Sequence, residues 1–239
     1  MFASVALAQP GIAACRPPHD KYPFCDTTLS TDARIKDLVG RIHDEDKPNL
    51  LTARGRHMDH GRQALPYIGV PSYYWGSNCI HSSMFSNCTK AGRCSTSFPS
   101  GPSTAATFDR ELVRSLANVV GVETRAGFNL KWVDNGKNGA GLECWGPVIN
   151  INRDPRWGRN GEGSAEDPYL VGEMGVAWAR GMQEGEDPNH VLVAATMKHF
   201  VANSVEGSWN PDGSWGGKIN RHTIDVNITK QDLADFYWP

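Results

Sequence analysis

Apolar residues recur along this chain at two spacings, one helical and one extended, and their alternation sets its organisation. Ile35, Leu38, Val39 and Ile42 repeat at three and four behind Ser30 or Thr31, which predicts a capped helix stopping before Pro48. Residues 1–28 form an irregular lead-in, because Pro17-Pro18 and Tyr22-Pro23 block a helix there. Tyr67-Ile68-Gly69-Val70-Pro71 predicts a short buried strand, and the small, polar stretch from Trp75 to Ser97 reads as loop. Asp109 then caps a second helix, whose stripe is Leu112, Val113, Leu116, Val119 and Val120, with Glu123 at its end.

Further on, Pro147-Val148-Ile149-Asn150-Ile151 suits a strand that runs into the polar segment Asn152 to Arg159. Asp167-Pro168 is a helix start, an Asp cap with Pro in first position, and Leu170, Met174, Ala177, Trp178 and Met182 share one face before Gly185 ends it. Val191 to Thr196 reads as a buried strand carrying Lys198-His199 at its C-terminal end. Thr229 and Asp232 resemble a capping box opening a helix with Leu233 and Phe236 inside. Strands alternating with amphipathic helices predict an α/β protein with βα units and a parallel sheet. In such folds the chemistry sits at the C-terminal strand ends, where both polar clusters fall.

Composition narrows the function. Among 239 residues, 24 Lys and Arg stand against 26 Asp and Glu, with 39% hydrophobic residues. That balance argues against disorder, and no basic cluster is present to serve a nucleic-acid partner. No run approaches the roughly 20 apolar residues a membrane span needs, so no membrane partner is expected. The length falls just under the roughly 250 residues of a (β/α)8 barrel. Eight tryptophans in a near-neutral chain fit either core plugs or a cleft that stacks on sugars.

The six cysteines are even in number, and Cys88 and Cys94 bracket a short stretch able to close a loop. No C-x2-C pair exists and His57-x-x-His60 has no cysteine or carboxylate partner at ligand spacing except Asp59, so neither metal nor cofactor is expected. Sequons at Asn87 and Asn227, with a short apolar Met1 to Ala8, point to a secreted, extracellular protein.

Arg153, Arg156 and Arg159 read either as a salt-bridged surface loop or, through Trp157-Gly158-Arg159, as a fork for vicinal hydroxyls. Lys198-His199 reads as a solvated strand end, as a donor pair for sugar hydroxyls, or as the site of a Schiff-base lysine. Gly161-x-Gly163 lacks the third glycine of a dinucleotide fingerprint, and no nucleophile elbow is present.

Asn150-Ile151-Asn152-Arg153-Asp154-Pro155-Arg156-Trp157-Gly158-Arg159, with Glu162 and Glu166-Asp167-Pro168 behind it, resembles the signature of glycoside hydrolase family 3. It looks most like the plant and fungal β-xylosidase branch. Gly69-Val70-Pro71-Ser72-Tyr73 with His81, Ser97-Phe98-Pro99, Ala105-Ala106-Thr107-Phe108-Asp109, Lys198-His199-Phe200 and Gln231-Asp232-Leu233 match in the same order.

The resemblance implies a TIM-type (β/α)8 barrel, incomplete at its C-terminus, over residues 29–239. It also implies a retaining exo-acting β-glycosidase for β-xylosides or β-glucosides, which works with two carboxylates. By motif position, Arg159, Lys198 and His199 grip hydroxyls of the terminal sugar. Where the family carries an acidic residue in its first loop, this chain has Asn78, so the hold there is weaker or altered. The family's nucleophile and acid/base fall past Pro239, leaving no catalytic residue here and making the C-terminal domain of a full-length parent the implied partner. The chain alone should then bind sugar without turning it over. The alternative is a non-catalytic sugar-binding remnant of the same fold.

Overall fold

The computed structural model describes residues 15–51, 61–62, 64–71, 73–74, 78–83, 94–134, 141–210, 212 and 214–238. Met1 to Ala8, His57, His60, the loop residues Trp75 to Ser77, and Asn87 and Cys88 lie outside them. The chain divides into two compact units, Met1–Gly76 with Ala126–Leu142, and Ser77–Arg125 with Glu143–Pro239.

The first unit carries α1 (Thr31–Arg41), the short α2 (Lys47–Leu50) and the antiparallel pair β1 (Gly61–Arg62) and β2 (Tyr73–Tyr74). Ser30 caps α1 as its sequence predicts, its Oγ accepting from the Ala33 N–H at 3.3 Å. The predicted apolar stripe is not what anchors this helix, since Ile35 and Val39 remain 52% and 47% exposed. Its anchor is polar: the Asp37 carboxylate accepts from the Arg41 guanidinium at 2.9 Å and from the Phe24 N–H at 3.1 Å. Phe24 is buried in a 3-10 turn, Pro23–Cys25, which a Cys15–Cys25 disulfide fastens. The strand predicted over Tyr67 to Pro71 is replaced by a 3-10 turn at Pro66–Ile68. Gly69 ends it at φ 70°, a left-handed conformation that glycine adopts without strain, and the backbone folds back to pair Leu65 with Val70.

The second unit holds most of the buried apolar residues. Its elements are α3 (Gly101–Ala105), α4 (Arg110–Asp134, of which 110–125 belong here), β3 (Glu143–Cys144), α5 (Pro168–Gln183), β4 (Ala194–Ala195), the β5–β6 hairpin (Ser208–Trp209, Trp215–Gly216) and α6 (Lys230–Asp232). Asp109 and Asp167 cap α4 and α5 as predicted, accepting from the Leu112 N–H at 3.0 Å and the Leu170 N–H at 2.7 Å. On α4 the buried line is Val113, Ala117, Val120 and Thr124, while Leu112 and Val119 stand aside, exposed. Met174, Ala177, Trp178 and Met182 of α5 are buried as their spacing demands.

The two helices meet through glycines. A Cβ on Gly181 would lie 2.2 Å from the Arg114 carbonyl oxygen, and one on Gly121 would lie 2.6 Å from that of Met182. Each backbone therefore seats into the other helix at a point where a side chain would exclude it.

β3 and β4 run parallel, Glu143 opposite Ala194 and Cys144 opposite Ala195, so the predicted parallel relationship holds. The strands are far shorter than predicted. Pro147 has no N–H to extend the ladder beyond Cys144, leaving Val148 as a single parallel bridge to both Gly163 and Lys198. At the other strand, the Val191 and Leu192 carbonyls accept from Arg125 at 2.9 and 2.8 Å, and the Leu192 N–H donates to Gln183 at 2.9 Å. Those backbone groups are tied to helices rather than to a sheet.

Near the C-terminus Thr229 caps α6 as predicted, accepting from the Asp232 N–H at 3.0 Å. The chain continues through a π-helical turn, Leu233–Tyr237, in which Phe236 is exposed rather than inside. The β5–β6 hairpin was not foreseen from the sequence. Among the described residues no helix is long and apolar enough to cross a membrane.

Candidate functional site

Three separate segments of the second unit converge at the ends of the parallel pairing. The Val148 bridge sets two of them side by side: the Ile149 N–H donates to the Lys198 carbonyl at 2.8 Å, and the Lys198 N–H to the Pro147 carbonyl at 3.2 Å. This ladder delivers Lys198 and His199 beside Asn150. The third segment, the polar run after Ile151, turns back on itself, with the Asn160 side-chain amide donating to the Asp154 carbonyl at 2.7 Å. Gly163 closes the turn where a Cβ would collide with Asn152 Oδ1 at 2.4 Å.

Within that turn Asn160–Glu162 forms a 3-10 helix, in which residues three apart eclipse. Arg159 and Glu162 stand at that spacing and form a two-pronged pair, Nε to Oε1 at 2.7 Å and a terminal nitrogen to Oε2 at 2.8 Å. The same Oε2 lies 3.1 Å from Lys198 Nζ, so one carboxylate bridges both cations. Lys198 also donates to Asn78 Oδ1 at 3.0 Å. Among the described residues, two of its three N–H groups are thereby engaged.

Asn78 reaches this point because its neighbour is fastened twice. A disulfide joins Cys79 to Cys144 at the end of β3, and the buried Trp178 indole donates to the Cys79 carbonyl at 3.2 Å. Closing a loop of 65 residues in this way stabilises the fold by roughly 4 kcal/mol through lost chain entropy.

All four residues singled out from the sequence, Asn78, Arg159, Lys198 and His199, thus belong to one constellation. The structure adds four that sequence reasoning did not select. Glu162 is the bridge just described. Glu206 accepts from Arg221 at 3.0 Å and lies 3.5 Å from Arg159, bracing that guanidinium from a second side. Asn150, buried at 4% exposure, uses Oδ1 to accept from the His199 N–H at 2.7 Å and lies 2.9 Å from His199 Nδ1. The Arg159–Glu162 spacing of three was a readable signal for Glu162; Glu206, Arg221 and Asn150 carried none.

Of the three arginines in the loop, Arg159 alone joins the constellation. Arg156 pairs with Asp154 at the surface, and its hydrogen bonds hold that carboxyl down at about 2. Arg153 donates to Ala202, Ser204 and Tyr237. The Trp157 ring, read as part of a hydroxyl-holding fork, is instead buried at 3% exposure and plugs the core.

Electrostatics follow from this crowding. Burial lowers the Lys198 pKa, opposed by the Glu162 charge. Burial raises Glu162, but Arg159 hydrogen bonds and the Lys198 charge outweigh it, and its pKa falls below the usual carboxylate range. The Glu162 hydrogen bonds hold Arg159 above its ordinary value. His199 drops to about 4, first through burial and then through the Arg159 and Lys198 charges, so it is neutral at ordinary pH. Among the described residues no group of three His, Cys, Asp or Glu side chains could hold a metal ion. The arrangement is a half-buried set of fixed, charged donors with one neutral imidazole, suited to gripping a polyhydroxylated ligand.

Comparison with known proteins gives this constellation a context. Residues 86–213 match the family model for the glycosyl hydrolase family 3 N-terminal domain. Beta-D-xylosidase 3 of Arabidopsis thaliana is 36% identical over 247 residues, an alignment covering 100% of this chain and 28% of the relative. A probable exo-1,4-beta-xylosidase of Aspergillus clavatus is 35% identical, covering 100% and 29%. Among solved structures, a family 3 exo-beta-xylosidase, XlnD, bound to a xylobiose aziridine activity-based probe superposes with a TM-score of 0.74 at 26% identity. That superposition covers 95% of this chain and 27% of the other. A Kluyveromyces marxianus beta-glucosidase superposes at 0.54 with 28% identity, covering 72% and 18%. The chain thus spans less than a third of the length of these relatives. It belongs to glycosyl hydrolase family 3, as part of that family's N-terminal domain.

Proposed function

We propose that this chain is the sugar-gripping N-terminal part of a retaining exo-acting β-glycosidase, of β-xylosidase or β-glucosidase type. In this reading it contributes the opening βα units of a (β/α)8 barrel, and the nucleophile and acid/base come from parts of the enzyme it does not span. The observation that carries the reading is Glu162 held between Arg159 and Lys198, with Asn78 and His199 beside them. Such a set fixes cationic donors without letting them fold onto each other. The remaining N–H groups of Arg159 and Lys198 meet sugar hydroxyls as charge-assisted donors, each worth about 1.5–3 kcal/mol.

The xylosidase names among the relatives and the xylobiose-derived probe in XlnD favour a β-xyloside ligand. Secretion fits the Cys15–Cys25 and Cys79–Cys144 disulfides and the exposed sequon at Asn227. A second reading, a sugar-binding remnant without catalysis, draws on Asn78, a neutral residue where the family pattern is acidic. Joining this chain to the rest of a related β-xylosidase tests the choice. Hydrolysis of an aryl β-xyloside by the chimera supports the enzyme reading, and xylose binding without hydrolysis supports the remnant.

A further inference from the structure

The geometry assigns Asn150 a role as the positioning residue that holds His199 in its Nδ1–H form, so that Nε2 meets a sugar hydroxyl as an acceptor. This deepens the sugar-site reading above and rests on it. The assignment follows from hydrogen-bond polarity. A backbone N–H can only donate, and that of His199 lies 2.7 Å from one terminal atom of the Asn150 amide, which is therefore the oxygen. The other terminal atom donates to the Asn203 carbonyl at 3.1 Å, which demands the nitrogen there. Both contacts fix the amide in one orientation.

An amide oxygen has no proton to give. The His199 Nδ1 at 2.9 Å from it must therefore carry the hydrogen. In a neutral imidazole the second nitrogen then holds a lone pair. Burial favours the neutral ring first, and the charges of Arg159, Lys198 and Arg221 act in the same direction, opposed by that of Glu162.

The consequence is a division of labour within the constellation. Arg159 and Lys198 offer only donors, and their carboxylate partners are already engaged. A sugar hydroxyl both donates and accepts, so donors alone leave its proton without a partner. His199 Nε2 supplies an acceptor beside Asn78 Oδ1, which already accepts from Lys198. Asn150 makes the difference between an acceptor and one more donor.

Nitrogen-15 NMR of the histidine-labelled chain, with His199 identified by its loss in His199→Gln, reads this directly. At neutral pH and without sugar, the expected result is a protonated Nδ1 and an unprotonated Nε2. Adding xylose should shift Nε2, and Asn150→Ala should both release the tautomer and weaken xylose binding about tenfold. Asn150→Asp keeps an acceptor at Nδ1 but places a carboxylate there, so the histidine pKa should rise and Nε2 should become a donor at a higher pH than in the unsubstituted chain. A protonated Nε2 in the unsubstituted chain overturns the assignment, as does an unchanged tautomer in Asn150→Ala. An Nε2 signal unmoved while other resonances report bound xylose overturns the acceptor role alone. Absence of any xylose response with the tautomer as described overturns the sugar reading instead.

Discussion

Asn78 Oδ1 lies 3.0 Å from Lys198 Nζ across 120 residues of sequence, a neutral acceptor facing a half-buried ammonium. Replacing that amide by a carboxylate changes the charge and little else. Asn78→Asp should tighten xylose binding about fivefold, roughly 1 kcal/mol, because its bond to a hydroxyl becomes charge-assisted. Asn78→Ala should weaken binding by a similar factor. Calorimetry on the three proteins checks the order, and equal affinities would place Asn78 outside the sugar's reach.

Glu162 sits between Arg159 and Lys198 and offsets one of their two positive charges. Glu162→Gln preserves the shape and removes the charge, leaving two half-buried cations without their shared counter-ion. We expect a stability loss on the order of 2 kcal/mol, below the full cost of breaking a wholly buried pair because the carboxylate retains some solvent contact. The urea midpoint measures it. An unchanged midpoint would mean that solvent already screens the pair.

Gly181 and Gly121 let α4 and α5 approach backbone to side. Gly181→Ala would drive a methyl carbon to 2.2 Å from the Arg114 carbonyl oxygen and 2.7 Å from Ala117 Cβ, so the helices must separate. A loss of about 1–3 kcal/mol is expected, as for other overpacked cores. Gly172→Ala, where a Cβ meets nothing within 4 Å, should leave stability unchanged or raise it slightly. Equal effects from the two changes would contradict the close-approach account.

The His199 pKa yields a pH dependence with a definite sign. Its folded value is about 4 against 6.5 for the free side chain. Between those values the unfolded chain binds the proton and the folded chain does not, so stability falls as pH drops through the window. The slope from this one group is at most about 1.4 kcal/mol per pH unit. His199→Gln should flatten the profile between about pH 6.5 and about pH 4, as read by denaturant titrations. A profile of unchanged slope in that variant would show that His199 protonates freely in the folded state.

Local chemistry is what the sequence made legible. Ser30, Asp109, Asp167 and Thr229 all cap helices, because a cap needs only a side-chain oxygen and the amides two or three residues on. Lys198-His199 was readable because a polar pair after an apolar strand marks a strand end. What escaped depends on partners distant in sequence. The Val191 to Thr196 strand shrank because Arg125 and Gln183 claim its backbone groups. Ile35 and Val39 repeat at helical spacing yet stay exposed, since Asp37, not the stripe, fastens their helix. Asn150 sits inside the quoted signature, but its task appears only once His199 is laid beside it. Trp157 fits a core plug or part of a hydroxyl-holding fork from its sequence alone, and only packing shows that it fills the core.

In the proposed reading Arg159, Lys198 and His199 grip the sugar, and the carboxylates that cleave it come from parts of the enzyme this chain does not span. Titration of the purified chain with xylose in a calorimeter, beside Arg159→Ala and Lys198→Ala, tests it most directly, with an aryl β-xyloside assay on the same samples. The account predicts heat at millimolar xylose in the unsubstituted chain, its loss in both variants, and no turnover in any sample. No heat at millimolar xylose, or robust hydrolysis by the chain alone, would contradict it.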